Sequence, residues 1–276
     1  MPLTEETGSP ELPSLVRITL YPVKSLDGLA VNEAVVLPSG ALEHDRRFAV
    51  VDGEGRFVNG KRTAKVHQIR SSFDASARTL TLGIQGHDDR QSFSVDLDRE
   101  ALDEWLSRHF DFPVTVVENA GGGFPDDTDS PGPTLLSAAT LRAVLEWFPE
   151  LVEDECRRRF RANLEVGGVE PFWEDRLFSE PGGVVRFRVG EVVFEGVNPC
   201  QRCVVPSRSA VDGVPIPEFQ KRFSTKRRET LPPWAAASRF NHFYRLALNT
   251  RVAHGQRGTI RVGDEVEILD PEAGAN

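Results

Sequence analysis

The chain has 276 residues, a length that allows one large domain or two of modest size. Hydrophobic residues make up 39% of the chain and charged residues 27%, which is the ordinary balance of a folded protein and excludes a fibrous or disordered one. The formal net charge of -9 opposes nonspecific binding to nucleic acid or to an anionic membrane, so we expect neither partner. A phosphate-bearing ligand would need a local basic pocket.

Several features of the sequence indicate a cytoplasmic protein. The apolar stretches fall far short of the ~18 residues of a membrane-spanning helix. The first residues carry acids and prolines in place of the basic start and apolar run of a secretion signal, and we expect residues 1–15 to form a disordered tail. Three cysteines are few and odd in number, which favours free thiols in a reducing compartment over a disulfide framework.

Short strands dominate the first part of the chain. Alternating and β-branched apolar residues predict strands at 16–21, 34–37, 47–51, 72–73 and 79–82. Turn residues at 52–55 and 75–78 predict hairpins. A helix is predicted over residues 98–109, with Asp98 at its N-cap and apolar residues at helical spacing behind it.

The second part begins after a glycine- and proline-rich segment. Residues 118–129 show no periodicity and predict a linker between domains at 16–117 and 130–269, with a tail at 270–276. A helix is predicted from Ser137 to Phe148. Further strands are predicted at 162–166, 184–189, 192–195, 258–262 and 265–269, with hairpin turns at 190–191 and 263–264.

The predicted elements together define the fold class. Many short strands and few helices, without a repeated strand–helix unit, argue against a parallel nucleotide-binding sheet. They predict a mainly β protein with some α+β elements, built as two β-barrel-like domains.

The pair Cys200 and Cys203 is the most informative local feature. A Cys-x-x-Cys pair is typical of half a zinc site, of a dithiol redox pair, or of a loop that presents one thiolate to a cofactor. It also fits two small buried apolar side chains. A redox pair is disfavoured because residues 204–207 do not start a helix. A zinc site would need Cys156 and a histidine at irregular spacing, so on spacing alone the alternatives stay open.

Basic residues fall in clusters although the chain is acidic. The clusters at 24–25, 46–47 and 157–161 lie beside predicted strand ends, and arginine offers a planar fork of donors to phosphate or to a pterin carbonyl. A single such cluster is more typical of a solvated surface. A further basic run at 221–228 lacks apolar residues at helical spacing and predicts an exposed loop or a docking surface for an acidic partner.

Several short motifs, taken in order, resemble a known pair of domains. The motifs at 21–25 (YPVKS) and 45–48 (DRRF) resemble the N-terminal β-barrel domain that precedes a MOSC domain. Four later motifs resemble the MOSC domain itself: those at 159–164 (RFRANL), 172–175 (FWED), 199–203 (PCQRC) and 258–264 (GTIRVGD). The resemblance extends to amidoxime-reducing molybdenum enzymes, which include the mitochondrial amidoxime reducing component and bacterial reductases of N-hydroxylated bases.

The resemblance implies a molybdenum cofactor between the two domains, in which a pterin dithiolene and one protein cysteine hold the metal. The ligand position matches Cys203, which makes it both the metal ligand and the catalytic residue, and a soft, strongly donating thiolate suits molybdenum. Cys200 would lie beside the metal without binding it. The resemblance assigns cofactor binding to Lys24, Ser25, Arg46, Ser137, Arg161, Asn163 and Arg202.

The activity implied by the resemblance is two-electron removal of oxygen from hydroxylamines, amidoximes or N-hydroxy purines. The alternative is a non-catalytic protein that binds and carries the cofactor, since MOSC domains also occur in cofactor sulfurases. A third interpretation is a zinc-stabilised interaction module. An appended iron–sulfur module would need more cysteines than this chain has, so a reductase would take electrons from a separate ferredoxin-, flavodoxin- or cytochrome-like donor protein.

Overall fold

A computed structural model describes residues 12–269, so residues 1–11 of the predicted tail at 1–15, and the predicted tail at 270–276, lie outside the described residues. Strand β1 begins at Ser14, and Leu15 is fully buried, so the end of the predicted N-terminal tail belongs to the folded core. The prediction of a mainly β protein is confirmed, with fifteen strands and four α-helices within residues 12–269.

Strands follow one another through most of residues 12–269, and the helices interrupt them. The strands are β1 (Ser14–Leu20), β2 (Leu29–Val31), β3 (Glu33–Val36), β4 (Phe48–Asp52), β5 (Ile69–Asp74), β6 (Thr79–Ile84), β7 (Arg90–Ser94), β8 (Val114–Glu118), β9 (Leu135–Ser137), β10 (Leu164–Gly167), β11 (Val185–Val189), β12 (Val192–Gln201), β13 (Arg245–Val252), β14 (Gly258–Arg261) and β15 (Val266–Ile268). The α-helices are α1 (Arg99–Phe110), α2 (Ala138–Trp147), α3 (Glu153–Phe160) and α4 (Phe219–Glu229). The 3-10 helices are Ala64–Gln68, Trp173–Leu177, Val205–Ser207 and Ala237–Arg239.

The largest sheet has eight strands in the order β15-β11-β12-β13-β9-β10-β1-β2. Its named pairs are antiparallel except β9 with β10. Strand β1 pairs with β10, and β3 pairs with β14. The first strands of the chain are therefore hydrogen-bonded to strands of its second half, and this pairing brings the ends of β1 and β10 together at the site described below.

Three apolar clusters hold the elements together. The first fills the space beside the eight-stranded sheet, the second joins β4–β8 with α1, and the third packs α2, α3 and α4 on the end of β13. Helix α1 illustrates the local cause, because Leu102, Leu106 and Phe110 recur every four residues and are all buried. Burial of these stripes is the main stabilising force.

Several predictions of local structure are confirmed. Residues 75–78 join β5 to β6, and residues 190–191 join β11 to β12, both as antiparallel hairpins. Ser137 occupies the N-cap of α2, where its Oγ accepts a hydrogen bond from Thr140 N at 3.0 Å. Asp98 occupies the N-cap of α1, but its carboxylate accepts from Ser94 N at 2.8 Å and caps no helical amide.

Two predictions of local structure are wrong. The turn at 263–264 does not join a hairpin, because β14 pairs with β3 while β15 pairs with β11. The basic run at 221–228 is not a loop but lies in α4, whose buried face starts at Phe219, upstream of the run. The elements that were not predicted also include helix α3 and the strands β2, β7, β8, β9 and β13. No helix among residues 12–269 is long and apolar enough to cross a membrane.

The buried face of α4 ends at Arg227, which is 1% exposed. Its guanidinium forms an ion pair with Asp175 and stacks over the Phe172 ring, with Cζ 4.3 Å from the ring centroid. The exposed side of the helix is partly neutralised. Its cations form ion pairs with acidic neighbours in the pairs Lys221–Glu218, Arg222–Glu150 and Lys226–Glu229.

A buried carboxyl beside this ion pair makes stability dependent on pH. Glu174 accepts hydrogen bonds from Thr140 Oγ1 at 3.0 Å and from Ser137 N at 3.2 Å. Burial, aided by the charge of Asp175, raises the pKa of Glu174 to about 7 from the ordinary 4.5. Between these values the folded chain keeps a proton that the unfolded chain releases, so the free energy of unfolding should fall as pH rises.

We expect Glu174→Gln to remove this pH dependence, because glutamine accepts the same hydrogen bonds without ionising. Urea unfolding should find the variant as stable as the wild type near about pH 4.5 and more stable near about pH 8, by on the order of 3 kcal/mol. Glu170→Gln, which changes a half-exposed carboxylate paired with Arg176, should keep the wild-type slope and serves as control. If the difference in the free energy of unfolding between Glu174→Gln and wild type stays constant with pH, Glu174 is not the group that causes the pH dependence.

Candidate functional site

A cavity of about 710 Å³ lies between residues from both halves of the chain. Lys24 and Arg46 line it from the first half, and Arg161 and Cys203 line it from the second. In all, nine lysines and arginines but only three aspartates line the wall. The cavity is therefore strongly positive in a chain whose net charge is -9.

Lys24 enters the cavity from the turn that follows β1. Its backbone N donates to Phe48 O at 2.7 Å, which fixes the turn against β4. Its Nζ donates to Phe124 O at 2.9 Å and to Asp126 Oδ1 at 2.5 Å. Burial lowers the pKa of Lys24, while the Asp126 carboxylate opposes this effect. Lys24 is thus a positive charge held in place inside the protein.

The predicted linker forms part of the cavity wall. Phe124 N donates to Arg46 O at 2.8 Å, and Asn249 Nδ2 donates to Asp127 Oδ2 at 3.0 Å. Gly123 has φ +64, and a Cβ there would lie 2.5 Å from Asp45 O. The glycine therefore permits a close approach between this segment and the chain that carries Arg46.

Arg46 belongs to a hydrogen-bonded network with Asp45 and Asn163. Its Nη1 bonds the Asp45 carboxylate and also donates to Asn163 Oδ1 at 3.2 Å. Asn163 Nδ2 donates to Asp45 Oδ1 and to Thr19 O, both at 3.0 Å. Because both N–H donors of Asn163 are used within the protein, its role is to position Asp45 and Arg46.

Arg161 follows α3 and brings a second guanidinium to the cavity. Its Nη1 donates to Leu26 O at 2.7 Å, and its Cζ lies 4.0 Å from the centroid of the Tyr21 ring. Its Nη2 is buried without a hydrogen-bond partner, and burial lowers the pKa of Arg161. The hydroxyl of Ser130, also in the cavity wall, is buried without a partner as well. Such atoms are costly unless a ligand satisfies them.

Three predicted site residues have left-handed backbone conformations. The φ angles are +73° for Ser25, +48° for Arg46 and +53° for Arg161. Non-glycine residues seldom adopt this region, and the strain concentrates at functional sites where the surroundings enforce it. Ser25 and Arg46 adopt this conformation in turns and Arg161 adopts it as the C-cap of α3, so each of the three side chains starts from a bend in the backbone beside the cavity.

The two cysteines of the predicted pair both line the cavity and are half-buried. Cys200 lies in β12, and its Sγ accepts a hydrogen bond from Arg202 Nη1 at 3.2 Å. Arg202 is itself fixed, because its Nη2 donates to Phe160 O at 2.6 Å. Cys203 has no side-chain hydrogen bond to any residue between 12 and 269. A ligand that reaches the Cys203 thiol would therefore displace no hydrogen bond of the protein.

The described residues do not bring together the ligands that the zinc interpretation needs. Cys156, the third sulfur it needs, is fully buried among the helices, and burial raises the pKa of its thiol to about 12. Within residues 12–269 no group of three or more His, Cys, Asp or Glu residues could hold a metal ion. All three cysteines are free, as predicted.

The structure brings seven of the eight predicted site residues to the cavity wall: Lys24, Ser25, Arg46, Arg161, Asn163, Arg202 and Cys203. Ser137 is not among the lining residues. It is fully buried, and its hydroxyl bonds Thr140 as the cap of α2, so it has no face toward a ligand in the cavity. In this structure Ser137 caps α2, and its role in cofactor binding stays a prediction.

Other wall residues were missed from the sequence. Arg245 and Asn249 lie on the unpredicted strand β13, Asp126 lies in the predicted linker, and Arg239 ends a short 3-10 helix. The available signal was the apolar run 246–248 between polar residues, which is typical of a short buried strand.

These residues fit a molybdenum–pterin cofactor. A phosphate needs cations, which Lys24 and Arg46 provide, and a pterin needs free donors, which the unpartnered Nη2 of Arg161 provides. A further metal ligand needs an accessible sulfur, which Cys203 provides. The positive charge, the unpartnered hydrogen-bond donor and the accessible thiol that such a cofactor needs therefore occur together in a single cavity.

Relatives of the chain include cofactor sulfurases. The chain is 21% identical over 270 residues to molybdenum cofactor sulfurase 2 of Culex quinquefasciatus, covering 78% of this chain and 33% of that protein. It is 24% identical over 239 residues to molybdenum cofactor sulfurase of Danio rerio, covering 69% of this chain and 27% of that protein. The chain thus spans about a third of the length of these relatives or less.

Two solved structures are similar to the chain, one over about half of it and the other over most of it. YiiM from Geobacillus stearothermophilus has a TM-score of 0.33 and 14% identity, covering 52% of this chain and 57% of that one. The YUAD protein from Bacillus subtilis has a TM-score of 0.38 and 10% identity, covering 93% of this chain and 96% of that one.

Two family descriptions match the chain itself. Residues 12–117 match the MOSC N-terminal beta barrel domain, and residues 134–267 match the MOSC domain. Both matches contribute residues to the wall of the cavity, with Lys24 and Arg46 in the first and Arg161 and Cys203 in the second. The chain therefore belongs to the family of proteins in which a MOSC N-terminal domain is followed by a MOSC domain.

Proposed function

We propose that this chain is a molybdenum-cofactor oxidoreductase that reduces N-hydroxylated compounds such as hydroxylamines, amidoximes or N-hydroxy purines. The observation that carries the proposal is the partner-free thiol of Cys203 in the wall of a strongly positive cavity. A site that only needed to hold an anion would not require an accessible sulfur ligand. The family, whose relatives include molybdenum cofactor sulfurases, supports the choice of metal.

The residues of the cavity have distinct roles in this proposal. Lys24, Ser25 and Arg46 would hold the cofactor phosphate, and Arg161 and Arg202 would contact the pterin. Cys203 would bind the metal, while Asn163 positions Arg46. The bound cofactor would supply two-electron transfer and accept the oxygen removed from nitrogen. The cations neutralise the bound anion and hold it in one orientation.

The overall reaction consumes two electrons and two protons, converts the N-hydroxyl compound into the corresponding amine or amidine, and releases water. The electrons would come from a separate ferredoxin-, flavodoxin- or cytochrome-like protein. We place the protein in the cytoplasm because its three cysteines are free, which suits a reducing compartment.

A second candidate function is storage or delivery of the cofactor without turnover. The relatives named as molybdenum cofactor sulfurases favour it, because this chain matches only about a third of their length. A binding role needs the cationic wall but does not need substrate access to Cys203.

The two functions separate in one assay. The purified chain loaded with molybdenum cofactor should reduce benzamidoxime or hydroxylaminopurine with a reduced viologen dye as electron source, and the cofactor-free chain should not. Tightly bound cofactor with no turnover of either compound would contradict the reductase and support the carrier.

A further inference from the structure

Two cavity arginines that are given no role toward the cofactor, Arg239 and Arg245, lack acidic partners. Four cations of the cavity form ion pairs with carboxylates. The pairs are Lys24–Asp126, Arg46–Asp45, Arg158–Asp27 and Arg159–Glu155. Arg239 and Arg245 line the same cavity and form no ion pair with any residue from 12 to 269. Their positive charges are therefore uncompensated by the protein.

Both side chains are held by the strand that carries Cys200. Arg239 Nη2 donates to Val197 O at 2.7 Å, and Arg245 Nη1 donates to Pro199 O at 2.8 Å. Strand β12 has register shifts at these carbonyls, since Val197 lies within the shift at Gly196/Asn198 and Pro199 begins the shift at Pro199/Gln201, and such irregularities re-aim backbone groups. The two guanidinium groups are thus fixed beside the cysteines before any ligand binds.

The arrangement costs stability in the ligand-free chain. Burial lowers the pKa of Arg245, the sulfur of Cys200 opposes this effect, and the charge of Arg239 adds to it. The Nε of Arg245 is buried without a hydrogen-bond partner. Neighbouring like charges and an orphaned donor are both relieved when an anion binds between them.

We propose that Arg239 and Arg245 bind a negatively charged group on the substrate. Resting on the reductase function proposed above, this inference names the substrate class as N-hydroxylated compounds that carry a carboxylate or phosphate. The cofactor phosphate is assigned to Lys24, Ser25 and Arg46 in the other half of the chain, so the two arginines are free for substrate. They lie beside Cys200 on the cysteine side of the cavity.

The test compares two substrates that share one reacting group. The loaded chain, reduced by a viologen dye, is assayed with neutral benzamidoxime and with anionic 4-carboxybenzamidoxime, and the readout is the ratio of their kcat/KM values. We expect a ratio of at least about ten in favour of the carboxylate, falling to about one in the double variant Arg239→Gln, Arg245→Gln. Arg251→Gln, which removes a paired charge on β13 outside the cavity, should keep the wild-type ratio.

Binding of an unreactive anion gives a second readout that needs no turnover. Calorimetry of the loaded chain with 4-carboxybenzamide should show affinity that the double variant weakens roughly ten- to a hundredfold and that rising salt weakens. Failure of wild type to reduce either amidoxime would reject the reductase, while this binding measurement would still decide the role of the arginines. Equal ratios and equal affinities in wild type and variant would overturn the inference, as would loss of molybdenum from the double variant.

Discussion

Replacing Cys203 by serine or alanine is expected to abolish reductase activity and change the molybdenum spectrum. The fold should persist, because Cys203 is half-buried and bonds no other side chain among residues 12–269. Most of the cofactor should also be retained, since its binding rests on the phosphate and pterin contacts of the cationic wall. Activity with a viologen dye, molybdenum content and the electronic spectrum of the metal are the measurements.

Cys200→Ser is the matched control for the choice of sulfur. Cys200 lies in the same cavity, and its sulfur accepts a hydrogen bond from Arg202 that a serine oxygen also accepts. Cys200→Ser should therefore lose less activity than Cys203→Ser. An active Cys203→Ala beside an inactive Cys200→Ala would show that the other thiol binds the metal. Activity in both variants would reject a protein thiolate ligand altogether.

Loss of a cation from the cavity wall should lower the amount of bound cofactor without changing the spectrum of the metal. We expect Lys24→Gln or Arg161→Gln to weaken cofactor retention about tenfold or more, because each charge-assisted hydrogen bond contributes about 1.5–3 kcal/mol. The spectrum of the molybdenum that remains should be that of the wild type, since neither residue binds the metal. Molybdenum content after dialysis, compared with the spectrum per metal, measures both effects.

Lys65→Gln is the control for Lys24→Gln. Lys65 also pairs with an aspartate, Asp111, but it lies outside the cavity wall, so its loss should leave cofactor retention unchanged. Equal retention in Lys24→Gln and Lys65→Gln would show that the cavity does not hold the phosphate where we place it.

Local patterns predicted most of the strands but only some of their partners. Residues 75–78 and 190–191 formed hairpins because each turn joins two strands that bury the same face. The turn at 263–264 carried an equally good local signal, yet β14 and β15 pair elsewhere. Pairing depends on contacts distant in sequence, which turn residues alone do not encode.

Helix α4 was missed for a different reason. Its apolar stripe consists of Phe219, Phe223 and the aliphatic and stacked part of Arg227, which composition counts as a charged residue. Burial of an arginine against aromatic rings with an aspartate partner is a tertiary effect. The basic run therefore looked like a loop in the sequence.

The candidate site was predicted mainly through the family resemblance. That resemblance led to Lys24, Arg46, Arg161 and Cys203, which the fold brings to one cavity from both halves of the chain. It could not show that the amide of Asn163 is used by protein groups. It also could not reveal the unpaired arginines, because ion pairing depends on which side chains meet in the folded chain.

The most direct test of the central claim is elemental analysis of the chain purified from cells that make molybdenum cofactor. Our account predicts molybdenum at about one atom per chain, reduced in Lys24→Gln and largely retained in Cys203→Ser, with no stoichiometric zinc. Stoichiometric zinc without molybdenum, or no bound metal in a correctly folded chain, would contradict it.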